Sequence, residues 1–379
     1  MAACLNSLDP ALQPVRVAIG LLLSIVWTGC SVAPELSTPS DGLVFVRVTD
    51  AGDTDVFQAR IADGAVRRLA ETPEFLESNP EWLPSVLRVL YVARPVADPM
   101  ASSRLMIRDP LRGDAAAVSE KSFLKEWDVS ASADGKRLAY IFESPPGMVP
   151  PMGVRVASPM TGLDVMLGPV PQASAYLSPR FSPETGSVAV QIHRGNRGDD
   201  LWLLLNDGQS EPLVNGRRWD DTAPRFTSSG SSIFFSRSAF RRAPRRRGRN
   251  AGPQAEPLGG GDVCRLQVAT KQVDCVIQSG DAREHAVEPS PTRDEIVFVR
   301  EKDGASDLFL AEFAGGNERQ LTDSPDRAER GPVWSPDGDR IAYADGRAPQ
   351  PRIVVIDRQG AVLFETLGVQ PGWAPPFQD

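Results

Sequence analysis

The sequence predicts an all-β fold, a seven-bladed β-propeller with four-stranded blades, and three features of the chain predict it. An apolar strand with an anchor residue, aromatic in six of its seven copies, recurs about every 45–63 residues, and such a period is typical of stacked supersecondary units. Turn signals separate short strand-like segments within each repeat, which indicates a β-sandwich, a barrel or, at this period, a propeller. The opening strand that the first repeat lacks is found after the last repeat. The anchors are Phe45, Tyr91, Tyr140, Val190, Phe235, Phe298 and Tyr343.

The first strand of each unit carries a core residue nine positions before the anchor, and a turn follows this residue. The turn is clearest at Ser335-Pro336-Asp337-Gly338. There Pro fixes φ, Asp accepts hydrogen bonds from the backbone, and Gly adopts the positive φ that other residues resist. The core residues are Trp82, Phe181, Phe226 and Trp334, with Ala131 and Pro289 as weaker copies.

The second strand holds the anchor in an apolar run, as in Ile296-Val297-Phe298-Val299. The third strand opens with Asp in several units, and the fourth strand ends near an aliphatic residue. We therefore expect each unit to be a meander of four antiparallel strands. The opening residues are Asp55, Asp200, Asp262 and Asp307, and the fourth strands end near Leu69, Leu213, Val276 and Leu321.

The two ends of the repeat region complement each other. No Pro-x-Trp precedes Phe45, but Pro371-Gly372-Trp373 begins a new unit near the end of the sequence. The simplest interpretation is that this last strand completes the first blade, which closes the ring and removes exposed strand edges. The alternative is a six-bladed ring with one degenerate repeat outside it.

The composition and the first residues predict an exported protein. The net charge of −8 argues against general nucleic-acid binding. Residues 1–29 resemble a signal peptide, since the apolar run 17–27 is too short to span a bilayer. Cys30 follows small residues, as in a bacterial lipobox, which predicts lipidation of Cys30, a tether over 30–42 and a propeller over 43–379. A conventional signal peptide with a chance Cys is the alternative.

Cys264 and Cys275 are predicted to form a disulfide between the third and fourth strands of one blade. A two-residue turn near Ala269-Thr270 would place them directly opposite each other. Cys4 would leave with the signal peptide and Cys30 would carry the lipid, so Cys264 and Cys275 remain as the pair. The oxidising compartment expected for an exported protein would let their bond form. The alternative is a pair of free core thiols.

The Trp-Ser-Pro-Asp-Gly run at 334–338, the Asp-Leu-Phe third strand at 307–309 and the strand ending Gln320-Leu321-Thr322 resemble the TolB-type, WD40-like (PD40) propeller repeat. The resemblance covers residues 43–376 and implies a propeller in the bacterial envelope. Ser31 after the Cys resembles Gram-negative lipoproteins sorted to the outer membrane. The expected location is therefore its periplasmic face or the cell surface.

Propeller geometry sorts the connections onto two faces. The short-turn face carries the connections between first and second and between third and fourth strands. The long-loop face carries the connections between second and third strands and between blades. Length variation on one face of a rigid scaffold is typical of binding loops, and neutral drift in exposed loops is the alternative. The loops include 94–104, 143–153, 192–200 and 236–262.

Two of these loops are the candidate partner-binding sites. An apolar, Pro-rich loop at 145–152 offers an adaptable contact surface. An Arg-rich, Gly/Pro-rich insertion at 237–261 suits a phosphate- or carboxylate-bearing partner, and a solvated disordered loop is the alternative. The candidate contact residues are Met148, Val149, Met152, Arg241, Arg242, Arg245, Arg246, Arg247 and Arg249.

The sequence favours a non-enzymatic scaffold that binds an envelope protein or an anionic polymer or lipid, with contact to the membrane through the lipid anchor. It contains no Gly-x-Ser-x-Gly motif, and its two His, His193 and His285, lie in different repeats. We therefore expect no catalytic residues, no metal, no cofactor and no nucleic acid partner. The alternatives are a small-ligand, polysaccharide-binding or enzymatic propeller that uses the central channel, and a purely structural envelope protein.

Overall fold

The computed structural model describes residues 41–377 apart from 71, 99–101, 120–122, 196–197, 217, 240–257, 325–326 and 347–350. The described residues form seven four-stranded antiparallel sheets arranged as the blades of a propeller. Cys30 and the predicted signal peptide and tether up to residue 40 lie outside the described residues. So do the six candidate arginines between 241 and 249.

Each blade takes its four strands in the order that the repeat predicts. Blade 1 contains β1 (Gly42–Val48), β2 (Thr54–Arg60) and β3 (Val66–Arg68), and blade 2 contains β4 (Phe75–Leu83), β5 (Arg88–Pro95), β6 (Arg104–Arg108) and β7 (Ala115–Ala117). Blade 3 contains β8 (Lys125–Ala131), β9 (Leu138–Glu143), β10 (Met152–Ser158) and β11 (Leu163–Met166), and blade 4 contains β12 (Ala175–Phe181), β13 (Val188–His193), β14 (Asp199–Leu204) and β15 (Ser210–Val214). Blade 5 contains β16 (Trp219–Phe226), β17 (Ser232–Ala239), β18 (Leu258–Gln267) and β19 (Val273–Ile277), and blade 6 contains β20 (Arg283–Pro289), β21 (Glu295–Lys302), β22 (Ala305–Glu312) and β23 (Arg319–Gln320). Blade 7 contains β24 (Arg330–Trp334), β25 (Arg340–Asp345), β26 (Arg352–Asp357) and β27 (Val362–Leu367).

Strand β28 (Val369–Ala374) closes the ring, as the sequence predicts. It pairs with β1 as the first strand of blade 1, with Leu43 opposite Trp373. The Trp373 indole Nε1 donates a hydrogen bond to the carbonyl oxygen of Val333 at 3.1 Å, which joins blade 1 to blade 7. The seven-bladed prediction is confirmed, and the six-bladed alternative is wrong.

All seven anchors lie in the second strand of their blade and are buried. They pack between neighbouring blades, as where Val44 and Val56 of blade 1 meet Val89 and Tyr91 of blade 2. Burying one such side chain stabilises the fold by about 1.5–3 kcal/mol. The core is therefore a ring of interfaces between blades rather than one central cluster.

The first strand of every blade carries a β-bulge at the same position, with one residue in the left-handed region. The bulge twists the innermost strand where it lines the channel. Only one of the seven residues is Gly, so the packing of the blades, rather than glycine freedom, holds this backbone. The residues are Asn79, Asp128, Ser178, Ala223, Ala286, Gly331 and Gln370, with φ between 47° and 56°.

A disulfide joins Cys264 on β18 to Cys275 on β19. The two residues are direct partners in the strand register, as predicted, although the hairpin loop is longer than the expected two-residue turn. It spans 268–271, closed by the hydrogen bond from Gln267 N–H to the Gln272 carbonyl oxygen at 2.9 Å. The bond ties the outer strand of blade 5 to its neighbour.

We expect the paired change Cys264→Ser and Cys275→Ser to lower the free energy of unfolding by about 2–3 kcal/mol, because a cross-link over so short a loop restricts the unfolded chain by that amount. Denaturant unfolding of oxidised wild type, reduced wild type and the variant measures this. The reduced wild type is expected to fall to the level of the variant. Equal stability of all three proteins would contradict the prediction.

Candidate functional site

The long-loop face carries the irregular connections that the sequence predicts. Its second-to-third-strand connections range from the tight turn at 303–304 to the stretch 240–257, which lies outside the described residues. The first-to-second-strand connections on the short-turn face are uniform and range only from 84–87 to 132–137. The contrast in length therefore separates the two faces.

The apolar loop 144–151 joins β9 to β10 and is held at its base. Ser144 donates from its N–H to the Pro151 carbonyl oxygen and from its hydroxyl to the Pro150 carbonyl oxygen, both at 2.8 Å. Met148 is 59% exposed and Val149 is 92% exposed. These two side chains therefore form an apolar tip in water on a fixed base.

Met152 is placed differently from the other two predicted contact residues. It is the first residue of β10, opposite Glu143 in the register, and packs partly buried against the hydrophobic cluster between blades 3 and 4. Of the three predicted contact residues in this loop, Met148 and Val149 are the exposed ones.

Five of the seven blades bury a carboxylate near the start of their first strand, on the side of the long-loop face. Three of these carboxylates accept a hydrogen bond from the third strand of the preceding blade. Glu77 accepts from Val56 N–H at 3.0 Å, Glu126 from Leu105 N–H at 3.0 Å, and Glu329 from Leu308 N–H at 3.1 Å. In blades 5 and 6 the equivalent residues, each 0% exposed, pair with arginines of their own second strands. These pairs are Asp221 with Arg237 and Glu284 with Arg300.

Burial raises the pKa of Glu126 and of Glu329 to about 7, and the hydrogen bonds from Leu105 and from Thr322 and Leu308 only partly oppose this. Between the ordinary value of 4.5 and about 7, the folded protein keeps protons that the unfolded chain has released. The free energy of unfolding therefore falls as the pH rises through this window, by at most about 3 kcal/mol for each carboxyl group.

We expect the variant Glu126→Gln with Glu329→Gln to lose most of the decrease in stability between about pH 5 and about pH 8, because Gln keeps the acceptor oxygen but carries no proton equilibrium. Urea unfolding across this range measures the slope. Glu211→Gln, at an exposed ion pair with Lys271, is the control and should keep the wild-type slope. An unchanged slope in the double variant would contradict the assignment.

The central channel contains a cavity of about 660 Å³ on the side of the short-turn face, lined by the first strands of all seven blades. Neighbouring charges line it. The Arg225 Nε donates to Glu288 Oε2 at 2.7 Å, and Arg180 lies 4.0 Å from Asp128. The Glu81 carboxylate accepts from Ala131 N–H at 3.2 Å. The channel is thus a polar pocket with arginines from two adjacent blades.

Both histidines lie beside a carboxylate on the long-loop face, His285 with its Nε2 3.8 Å from Glu301 and His193 with a closer partner. The His193 Nδ1 is 2.6 Å from Asp199 Oδ1, and Gln191 holds the other oxygen of Asp199 at 2.7 Å. In the described part of the chain, no group of three or more His, Cys, Asp and Glu side chains is arranged to hold a metal ion. The described residues also include no helix with the length and apolar character needed to cross a membrane.

No model of a known protein family matches the chain. A TolB homolog from Chlorobium luteolum (strain DSM 273 / BCRC 81028 / 2530) is 33% identical over 82 residues, which are 21% of this chain and 19% of that protein. The matched segment thus spans about a fifth of the length of the curated relative.

Solved structures share the fold at low sequence identity. TolB from Acinetobacter baumannii has a TM-score of 0.53 and 16% identity, with 88% of this chain and 83% of that chain covered. An oligogalacturonate lyase in complex with manganese has 0.59 and 12%, covering 84% and 86%. A prolyl endopeptidase has 0.63 and 12%, covering 88% of this chain but 49% of that one. Propellers with this architecture therefore occur both in TolB and in enzymes.

The structure brings together residues that the repeat pattern does not mark as functional. The channel arginines follow Pro in two repeats, Pro179-Arg180-Phe181 and Pro224-Arg225-Phe226, and this shared tripeptide was the available signal. The chain is therefore a seven-bladed β-propeller closed by β28, and an 82-residue segment of it is similar to a TolB homolog.

Proposed function

We propose that the protein is an exported, lipid-anchored and non-enzymatic scaffold that binds an envelope protein or an anionic envelope polymer through its long-loop face. The observation that carries the proposal is the contrast between the faces, with uniform turns on one and connections of very different length on the other. A rigid ring that holds variable loops on a single face suits recognition by those loops.

The position of the predicted tether indicates which face of the propeller would lie near the membrane. The described chain enters the ring at Gly42, the start of β1, which lies on the short-turn face. A lipidated Cys30 would precede Gly42 by a segment that reaches at most about 40 Å when extended. The short-turn face would then lie near the membrane, and the long-loop face would point toward partners.

The tip of loop 144–151 is the contact that we assign first. Met148 and Val149 expose apolar surface, and covering this surface with a partner lowers the free energy of the complex. The hydrogen bonds from Ser144 already order the base of the loop, so binding loses little further conformational freedom there. A partner with an apolar pocket is the simplest complement of this tip.

The second candidate function is small-ligand binding in the central channel, which the charged cavity of about 660 Å³ favours. It is compatible with the scaffold function, because the cavity opens on the side of the short-turn face. A test of the scaffold function therefore has to change residues of the long-loop face and leave the channel intact.

We expect the variant Met148→Ser with Val149→Ser to lose most of its partner in cells, because the apolar tip supplies the contact. In-cell cross-linking, affinity capture and mass spectrometry, compared with the wild type, measure this. The control is Leu111→Ser, which removes an equally exposed apolar side chain (85%) from a turn on the short-turn face.

A protein enriched with the wild type and the control but depleted with the double variant supports the proposal. An identical catch from all three chains would move the binding surface away from this loop. A variant without 241–249 then tests the Arg-rich insertion separately, since loss of an anionic partner is expected only there.

A further inference from the structure

Two adjacent blades place the same tripeptide at the same position of the channel wall. Pro179-Arg180-Phe181 of blade 4 and Pro224-Arg225-Phe226 of blade 5 follow the bulges at Ser178 and Ala223. Each Arg donates from Nη1 to the carbonyl oxygen of its preceding Pro, at 2.6 Å for Arg180 and 3.0 Å for Arg225. These bonds fix both guanidinium groups against the wall of the cavity.

The two guanidinium groups differ in their carboxylate partners. Arg225 donates to Glu288 at 2.7 Å. Within the described chain, Arg180 donates to no carboxylate. The nearest carboxylate that pairs with it is Asp128 at 4.0 Å, whose other oxygen already accepts from Ser178 N–H at 2.6 Å. Arg180 therefore keeps donors free beside the cavity.

The cavity holds three carboxylates, Asp128, Glu288 and Glu81, and of its two arginines Arg180 is the one without a close carboxylate partner. The Arg180 side chain is 23% exposed, and burial together with the neighbouring Arg225 lowers the pKa of Arg180 to about 10. The third carboxylate of the cavity, Glu81, is bonded to the backbone of Ala131. An oxyanion between the two arginines would relieve their repulsion and accept charge-assisted hydrogen bonds.

The residues that line the opposite wall, from blades 7 and 1, are uncharged and, apart from Gln370, carry no polar side chain other than the Trp373 indole. Blades 7 and 1 lie across a seven-membered ring from blade 4, and at the equivalent position they carry Val333 and Gly372 in place of Arg. Pro371 and Trp373 extend this wall. A ligand with a charged head at the arginines would therefore place an apolar body against the far side, as small-molecule pockets commonly require.

We propose that the central channel binds a monocarboxylate with an apolar body, with the carboxylate held between Arg180 and Arg225 and the body against Val333 and Trp373. The ligand chemistry could come from a small organic acid or from the free C-terminus of a peptide that ends in an apolar residue. Asp128 competes with the ligand for Arg180.

Isothermal titration calorimetry of the purified chain tests the site with 3-phenylpropionate and its uncharged amide. We expect the acid to bind at least about tenfold more tightly than the amide, because the amide cannot form the charge-assisted bonds. A second pair of probes, the peptide Gly-Gly-Phe with a free or an amidated C-terminus, separates the two sources. Binding of the free peptide as well as the acid assigns peptide ends to the site, and binding of the acid alone assigns small acids.

Two variants are expected to change the affinity for the acid in opposite directions, which a general loss of folding could not do. Arg180→Gln should weaken binding of the acid about tenfold or more without changing that of the amide. Asp128→Asn should tighten binding of the acid a few-fold, because it removes the competing charge and keeps an acceptor for Ser178 N–H. The control Arg293→Gln removes an exposed arginine outside the cavity and should change nothing.

Thermal unfolding of each variant accompanies the titrations. Equal affinity for acid and amide would overturn the proposal. So would unchanged affinity in both Arg180→Gln and Asp128→Asn, or no saturable binding of any probe at about 10 mM, which is weaker than a built site allows.

Discussion

Replacing Arg300 by alanine is expected to lower the free energy of unfolding by about 3–5 kcal/mol, because it leaves a buried carboxylate without its charge partner. Arg300 Nε donates to Glu284 at 2.8 Å, and the Glu284 side chain is 0% exposed. The guanidinium group also lies over the Phe309 ring, 4.4 Å from its centroid, and pairs with Glu318 on its outer side. Arg300 thus pairs with two carboxylates and covers one aromatic ring.

Denaturant unfolding measures the effect, with Arg352→Ala as the matched control. Arg352 also pairs with a glutamate, Glu365, at 3.0 Å, but both side chains are about half exposed. Its loss should cost at most about 1 kcal/mol, as is usual for a surface ion pair. Equal losses for the two variants would contradict the assignment of Arg300 to the interior.

A second-site change distinguishes the buried charge from lost packing. In Arg300→Ala with Glu284→Gln, the unpaired buried carboxylate is removed, but the Phe309 ring still lacks the side chain that covered it. We expect this double variant to regain much of the lost stability, since uncharged replacements of buried ion pairs are often close to neutral. If it is no more stable than Arg300→Ala, packing against Phe309 is the larger contribution.

Removing the closing strand is expected to have the largest effect of all, the loss of the soluble monomer. A chain ended after Gly368 lacks β28, so every residue of β1 that pairs with it would present an open edge. Unpaired edges bind other chains. The change would also uncover Leu43 and Phe45, both fully buried in the closed ring. Size-exclusion chromatography with light scattering and limited proteolysis measure this outcome.

A chain ended after Phe377 is the control and should remain monomeric and resistant, because it keeps β28 and the contact of Phe377 with Arg67. Supplying the missing strand as a synthetic peptide of residues 366–377 should restore part of the monomer, as in other cases of strand addition. A stable monomer without β28 and without peptide would show that the pairing with β1 is dispensable.

The repeat predicted the parts of the fold that depend on local pattern. The second-strand anchors, the closing segment at Trp373 and the pairing of Cys264 with Cys275 all follow from spacing, because strand register and ring order repeat with the sequence. The hairpin between the cysteines is longer than predicted. The predicted pairing still holds, because a longer loop with the same centre keeps the same strand register.

The features that the sequence did not reveal depend on neighbours from other blades. The bulge residues share a conformation but not a residue type, as Ala223 and Gln370 show. Glu126 and Glu329 look like ordinary polar residues of half-exposed strands until the third strand of the preceding blade covers them. The channel arginines become one pocket only when the ring is closed, because their opposite wall comes from Val333 and Trp373.

The same closure sets the time at which the protein can finish folding. β1 is made early and its inner partner β28 more than three hundred residues later, so the first blade stays incomplete throughout most of translation. Pairing across such a sequence distance is slow, because the loop between the partners must close first. Factors that hold the chain before closure would therefore have to shield the edge of β1, and a protease that acts before closure would find its targets in that first blade.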